Sequence, residues 1–256
     1  MDEVRGNNVV VALELSGRAG SVAVGVGERL IVEKVFEHGL QHAAGVVPLV
    51  DACLKEAGVG VGDVGVVAVS GGPGSFTGLR ISVTLAKTWA MAAEASGRTL
   101  RVVMVPTGRV IAENATAENG LGEARLVTTA LDAKRGQVFS GTYRREGEGW
   151  AEVRAARLVR LADVIEEGRR EGWMGRWGGG GKMWLIGEGL PYHVKEGETF
   201  GEDVVVSGPE VWRARAGAVW KVGREMAARG EFSEVDGLVP VYVRMAEAEE
   251  KLMAGK

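Results

Sequence analysis

The sequence predicts an α/β protein of two lobes built from duplicated βββαβα units. Three observations carry that prediction. Short apolar runs separated by glycine turns come in groups of three, the pattern of an antiparallel meander. Each group is followed by a helical period and further apolar runs, which implies parallel pairing through right-handed crossovers. The whole order then recurs after roughly 115 residues, far above the period of solenoid repeats.

In the first half, VVVALEL (9–15), SVAVGV (21–26) and RLIVEKVF (29–36) form the predicted meander, with Gly17, Gly20 and Gly27 in its turns. A helix is expected over about 42–57, a strand over 64–69, a helix over about 76–95 and a strand over 100–105. In the second half, ARLVTTALDA (124–133), GQVFSGTY (136–143) and WAEVRAARL (150–158) are the matching triplet. The helix LADVIEEGRR, the strands MWLIGEG and DVVVS and a long helix over 209–229 complete it. The expected domains are an N-terminal lobe 1–106 and a C-terminal lobe 107–256, the latter with a Trp- and Gly-rich insertion at about 172–184. This layout is that of the actin and sugar-kinase (ASKHA, ribonuclease H-like) superfamily, in which a cleft between the lobes normally holds ATP.

Composition sets outer limits. The 256 residues suffice for one large domain or two ordinary lobes, and 46% hydrophobic with 25% charged residues is the balance of a folded chain. A net charge of −3 excludes a protein that traps nucleic acid by its overall field. The one cysteine, Cys53, allows no internal disulfide and suits a reducing compartment. The polar start MDEVRGNN is unlike a signal peptide, and no apolar run approaches the ~20 residues that span a bilayer. The expected location is cytoplasmic, with no membrane partner.

GGPGSFTGLR (71–80) separates the apolar run VGVVAVS from the helical pattern that begins near Phe76. Ser75 or Thr77 is placed to cap that helix, whose free N–H groups and positive end suit an anion. Gly72, Gly74, Ser75 and Thr77 are therefore the candidate anion or nucleotide loop, and a purely structural tight turn is the competing account. No lysine completes a Walker pattern, and Thr77 stands where GxGxxG requires its last glycine.

GGPGSFTGLRISVTLAK closely resembles the GPGSFTGLR signature of the TsaB (YeaZ) family. HAAGVVPLVDACLKEAG, with His42 and Pro48, resembles that family's HSERLLP-type helix, and ALDAKRGQVFSGTY resembles its strand-turn-strand around DARRGEVY. WLIGEG is similar to its GDG-like strand end and PVYVR (Pro240 to Arg244) to its terminal PxYLR, so the resemblance spans most of the chain. It implies a non-catalytic subunit in bacterial tRNA N6-threonylcarbamoyladenosine synthesis. Such a subunit supports TsaD, which moves threonylcarbamoyl from an adenylate to the adenosine beside the anticodon, while TsaE supplies an ATPase. The resemblance further implies a heterodimer with TsaD, a homodimer when alone, and tRNA reached through the complex. No cofactor is required, with room left for ATP or ADP at the partner interface. Glu14 departs from the pattern: the family's first strand usually ends in Asp-Thr-Ser, and the longer side chain would displace any metal or water contact. The Trp- and Gly-rich loop also has no counterpart to carry over.

Other chemistries find less material. The alternative, a stand-alone ATP-dependent kinase or ATPase of the same fold, needs a carboxylate for Mg²⁺ and a phosphate turn in each lobe. The chain offers Glu14-Leu15-Ser16-Gly17 and Leu131-Asp132-Ala133-Lys134-Arg135-Gly136, with Asp132 either a base or a turn initiator. The catalytic relatives of the family carry His-x-x-x-His after the strand that follows the long helix, whereas Val105 to Ala112 has no histidine. His38 and His42 have i, i+4 spacing, but Gly39 interrupts it and no third ligand lies nearby, so no metal site is expected. With His193 the remaining histidine, a Ser-His-Asp hydrolase is poorly supplied. RREGWMGRWGGGGKMW joins Arg169, Arg170, Arg176 and Lys182 to Trp173, Trp177 and Trp184, a mixture for phosphates and unpaired bases or a plain surface insertion.

Two helices carry more apolar surface than one core needs. After Phe76 one stripe is Phe76, Leu79, Val83, Ala86, Ala90 and Ala93, and a second is Ile81, Leu85, Trp89 and Ala92. On the helix over 42–57, Val46, Val50, Cys53 and Leu54 share a face with Val47. The expected partner interface is Val46, Val50, Cys53, Leu54, Ile81, Leu85, Trp89 and Ala92. The competing account packs the second stripe on the chain's own lobe; the resemblance pairs both helices with their equivalents in TsaD or a second copy.

Overall fold

VVVALE offers water no polar side, and it forms strand β1 (Val9–Glu14), buried along its whole length at the centre of the first sheet. The computed structural model describes residues 9–36, 42–177 and 179–241. MDEVRGNN, His38, the side chain of His42 and the end of PVYVR lie outside the described residues. β2 (Gly20–Val26) and β3 (Arg29–Phe36) complete an antiparallel meander with β1. Helix α1 (His42–Ala57), with Pro48 inside it, leads to β4 (Val64–Gly72), parallel to β1. Helix α2 (Phe76–Ala95) leads to β5 (Arg101–Pro106), parallel to β4. The sheet order is β3-β2-β1-β4-β5.

After α3 (Thr107–Ala112) the scheme repeats. One strand, broken at Ala130 into β6 (Leu126–Thr129) and β7 (Leu131–Asp132), pairs antiparallel with β8 (Val138–Glu146), and β8 pairs with β9 (Gly149–Val159). Then come α4 (Leu161–Arg170), α5 (Trp173–Trp177), β10 (Met183–Ile186), α6 (Leu190–His193), β11 (Val204–Val206) and α7 (Ala216–Ala228). β10 lies parallel to β6, and β11 parallel to β10. With β6 and β7 taken together, the order β9-β8-β6-β10-β11 is that of the first sheet again. The chain therefore has the predicted two-sheet, actin and sugar-kinase-like α/β fold.

Strand alternation divides the first lobe into two cores. Val9, Val11, Leu13, Val67 and Val69 face α1 and α2, while Val10, Ala12, Val66 and Ala68 face α7. Helix α3 bridges the halves, since Val110 joins the α7-side core and Ile111 and Ala112 join the core of the second sheet. The expected helix over 209–229 is shorter: a tight turn at Pro209–Val211 precedes α7, which has 13 residues. Asn114 Nδ2 donates to the Val211 and Arg213 carbonyls (3.0 and 2.6 Å), which holds those two ladder groups away from a helix, and Trp212 Nε1 donates to Ser207 O (3.0 Å), which fixes the turn. The start of α7 has no cap of its own. Ser21 Oγ accepts from the Ala216 amide (2.9 Å) and Glu33 from the Gly217 amide (3.0 Å), which ties the helix to the first sheet. Among the described residues no helix is long and apolar enough to cross a membrane.

Candidate functional site

The glycine segment is shaped by backbone approach. Gly72 has φ +111°, and a Cβ there would lie 2.7 Å from the Val241 carbonyl oxygen. A Cβ on Gly74 would lie 2.6 Å from Ser16 O, and one on Gly78 would run into the Leu15 carbonyl. The Ser75 amide donates to Ser16 O (2.7 Å), and the Gly78 amide donates to Ser75 Oγ (3.3 Å). Ser75 is thus the cap, and Thr77 is exposed. These contacts account for the glycines through the turn after β1 and the segment at Val241.

Helix α2 buries Leu79, Val83, Ala86, Ala90 and Ala93 against the sheet. Phe76, expected on that stripe, is exposed, with the Arg80 guanidinium 3.9 Å from its ring centroid. Ile81, Leu85 and Trp89 are half-buried at the margin of the core, and Ala92 is exposed. Four expected interface residues are displaced inward. Val46, Val50, Cys53 and Leu54 are 1, 7, 0 and 2% exposed, because α1 lies across β2 and β3 and spends this face on the sheet. They belong to the core. What α1 presents outward is Val47, 55% exposed, which the sequence had grouped with the inward face. Val46, Val47, Arg80, Ile81, Thr84, Leu85 and Thr88 line an open, mainly apolar groove of about 370 Å³ between the two helices.

At the junction of the lobes Glu14 is fully buried. Its Oε1 accepts the Ser16 amide (2.6 Å) and the Ser16 hydroxyl, and its Oε2 accepts the Ser70 hydroxyl. Burial pushes its pKa above the ordinary glutamate value against the pull of those hydrogen bonds, and the charge of Glu188 adds to the rise. Glu188 itself lies against the first hairpin, with Oε2 3.4 Å from the Arg18 amide and Oε1 3.7 Å from Arg213 Nε. Glu188 thus places a second carboxylate beside the buried Glu14, at the first hairpin. α3 turns apolar Val110, Ile111 and Ala112 inward, and among the described residues no three His, Cys, Asp or Glu side chains converge.

Asp132 initiates a turn. Its Oδ1 accepts from the Lys134 amide (2.9 Å) and lies 3.2 Å from His193 Nε2, and its Oδ2 takes Lys134 Nζ (2.7 Å). Burial pushes its carboxyl up, but hydrogen bonds from Lys134 and His193 outweigh that and hold it below the ordinary value. The turn runs through Lys134, Arg135 and Gly136 at φ 64°, 55° and 74°. In the insertion, the aromatics differ in burial. Trp173 is 2% exposed, donating to Glu171 (2.9 Å), while Trp177 and Trp184 pack on the second lobe's cores. Arg169 is held by Asp203 at 2.8 Å. Of the three aromatics in the loop's base-contact reading, Trp173 is lost to the core, while Trp177 and Trp184 stay half-buried.

Two sheets of identical order, with a glycine-launched helix beside an open groove, define a two-lobed protein of the actin and sugar-kinase class. The family profile described as "TsaD: tRNA N6-adenosine threonylcarbamoyltransferase" matches residues 37–250. Over 243 residues the chain is 27% identical to the tRNA threonylcarbamoyladenosine biosynthesis protein TsaB of Bacillus subtilis, covering 94% of this chain and 96% of that one. The Escherichia coli protein of the same name is 29% identical over 212 residues, 83% of this chain and 84% of the relative. YeaZ from Pseudomonas aeruginosa superposes with a TM-score of 0.75 at 25% identity, covering 92% of this chain and 99% of that structure. The chain belongs to the TsaB/YeaZ family.

Proposed function

We propose that this chain is the non-catalytic subunit of the bacterial tRNA N6-threonylcarbamoyladenosine synthesis complex, binding and supporting TsaD. The observation that carries the reading is the groove between α1 and α2, where Val47 is exposed and Ile81 and Leu85 are only half covered. Burying such side chains is favourable by ~1.5–3 kcal/mol each, so an uncovered apolar groove favours docking. The names of the relatives support the pathway, and the profile named for the transferase supports kinship with the partner. On this reading TsaD forms a heterodimer with the chain, TsaE joins them, and the isolated chain uses the same groove to form a homodimer. The complex works in the cytoplasm and contacts tRNA mainly through its other subunits. The chain needs no cofactor of its own, and any ATP or ADP at the interface belongs to the pair. The lobes divide at 106/107, with α3 as the link.

Capture by tagged TsaD tests the reading. Wild-type chain should be retained, whereas Val47→Glu and Leu85→Asp, each with an unchanged far-UV circular dichroism spectrum, should be lost. Equal retention of all three would contradict it. ATP hydrolysis by the isolated chain well above background would favour the kinase alternative instead.

A further inference from the structure

In the second sheet, the register that sets Trp184 beside Val127 also brings Lys182 beside Arg125, just ahead of the parallel strands β10 and β6. Side chains two apart on a strand point to the same face. Trp184 and Val127 join one core, so Lys182 and Arg125 continue that face past the core's edge, where both are exposed. With Glu123 and Gly180, these two cations and Trp184 line an open cavity of about 470 Å³. It lies at the end of β10 away from Glu188 and the lobe junction. Trp184 is half-buried but its Nε1 is covered, so the cavity meets ring carbon rather than the N–H.

The charges select the ligand. On this lobe Arg144, Arg154, Arg157, Arg160 and Arg169 each hold a carboxylate. Among the described residues Arg125 and Lys182 hold none, and Arg125 Nη1 donates to the Gly122 carbonyl (3.2 Å). Like charges side by side on neighbouring strands repel, and a bound anion relieves them. Glu123, on the same rim, also makes no ion pair among the described residues. Its carboxylate disfavours a purely acidic ligand but accepts from amino and hydroxyl groups. Cations, ring carbon and one acceptor together suit a phosphate, a flat ring and polar hydrogens. We infer that this cavity binds a nucleotide unit with an unpaired base, its phosphate on Lys182 and Arg125, its base against Trp184 and its amino or hydroxyl groups on Glu123. A free nucleotide and a single strand both carry that chemistry. The site is separate from the groove and does not depend on the partner reading.

Titration of the full chain with a single-stranded RNA hexamer, followed by fluorescence anisotropy, and with AMP and CMP, followed by calorimetry, tests it. Oligoglutamate and duplex RNA of matched charge are the controls. Saturable binding of hexamer or mononucleotide, tighter than that of either control, is the expected result. A hexamer that binds more tightly than the mononucleotides assigns a strand, and equal affinities assign a free nucleotide. Arg125→Ala combined with Lys182→Ala, both at exposed positions, should keep the melting midpoint, weaken binding about 10-fold or more and flatten its salt dependence. Trp184→Leu should weaken it about 5- to 100-fold, the range for a lost stacking surface. Binding no tighter than that of oligoglutamate or duplex would overturn the inference. So would unchanged affinity in the folded double variant.

Discussion

The amide of Ser75 donates to the main-chain oxygen of Ser16 at 2.7 Å, and through that bond the turn after β1 fixes where α2 begins. The same turn presses on the third helical position, because the Leu15 carbonyl occupies the space a Cβ on Gly78 would need. The groove between α1 and α2 thus inherits its geometry from a strand end on the neighbouring layer.

Gly78→Ala separates these effects by sign. In an unconstrained helix the change is favourable by ~1 kcal/mol. Here it forces the helix start away from Leu15, and a net loss of about 1–3 kcal/mol is expected, read as a lower urea midpoint. An unchanged or raised midpoint would show that the helix start is free to move.

Glu14 gives the fold a pH dependence. Its raised pKa means that the folded chain keeps a proton the unfolded chain releases. This contribution is fully present below the ordinary glutamate value and is lost as pH rises through the raised one. Urea midpoints of the wild type should therefore fall over that window relative to Glu14→Gln, whose side chain does not titrate. Parallel midpoint curves for the two proteins from about pH 4 to pH 8 would contradict this.

Most of the architecture is legible in the residues. Gly-punctuated triplets such as VVVALEL, SVAVGV and RLIVEKVF gave both meanders, and the start of α2 at Phe76 follows from a serine cap after a glycine turn. Side-chain destinations were less legible. A helical wheel places Val46, Val47, Val50 and Cys53 together, yet a helix crossing a twisted sheet buries only the rows beneath it, and Val47 is left outside. Tertiary bonds were invisible too: the carbonyl capture by Asn114 that shortens the last helix spans 97 residues. The Trp-rich loop misled because its composition looks like a surface, whereas Trp173 is core. Glu188 lies in WLIGEG, the segment similar to a GDG-like strand end, but its approach to the first hairpin depends on the opposite lobe and could not be read locally.

Cys53 reports on α1. It is buried between α1 and β2, and burial pushes its thiol pKa up. Reaction of the native chain with a thiol reagent such as DTNB should be at least 100-fold slower than in urea, on the order expected for an inert buried cysteine. Rapid labelling of the folded protein would mean that the inward face of α1 is open after all.

Trp173 links the insertion to the second core. Trp173→Ala should cost about 3–5 kcal/mol, as for other large core deletions, and replacing the loop through Trp173 should destabilise the chain. A variant with wild-type thermal stability would return the loop to the surface.

The central claim, that the groove between α1 and α2 is where TsaD docks, is tested most directly by the equilibrium dissociation constant of TsaD for the wild type and for Val47→Glu. Val47 is exposed in the isolated chain, so the variant should keep its fold and its melting midpoint. A loss of affinity of about 30-fold or more, the scale of an interface hot spot, is the predicted result. Dissociation constants that agree within about threefold, both from folded protein, would contradict it.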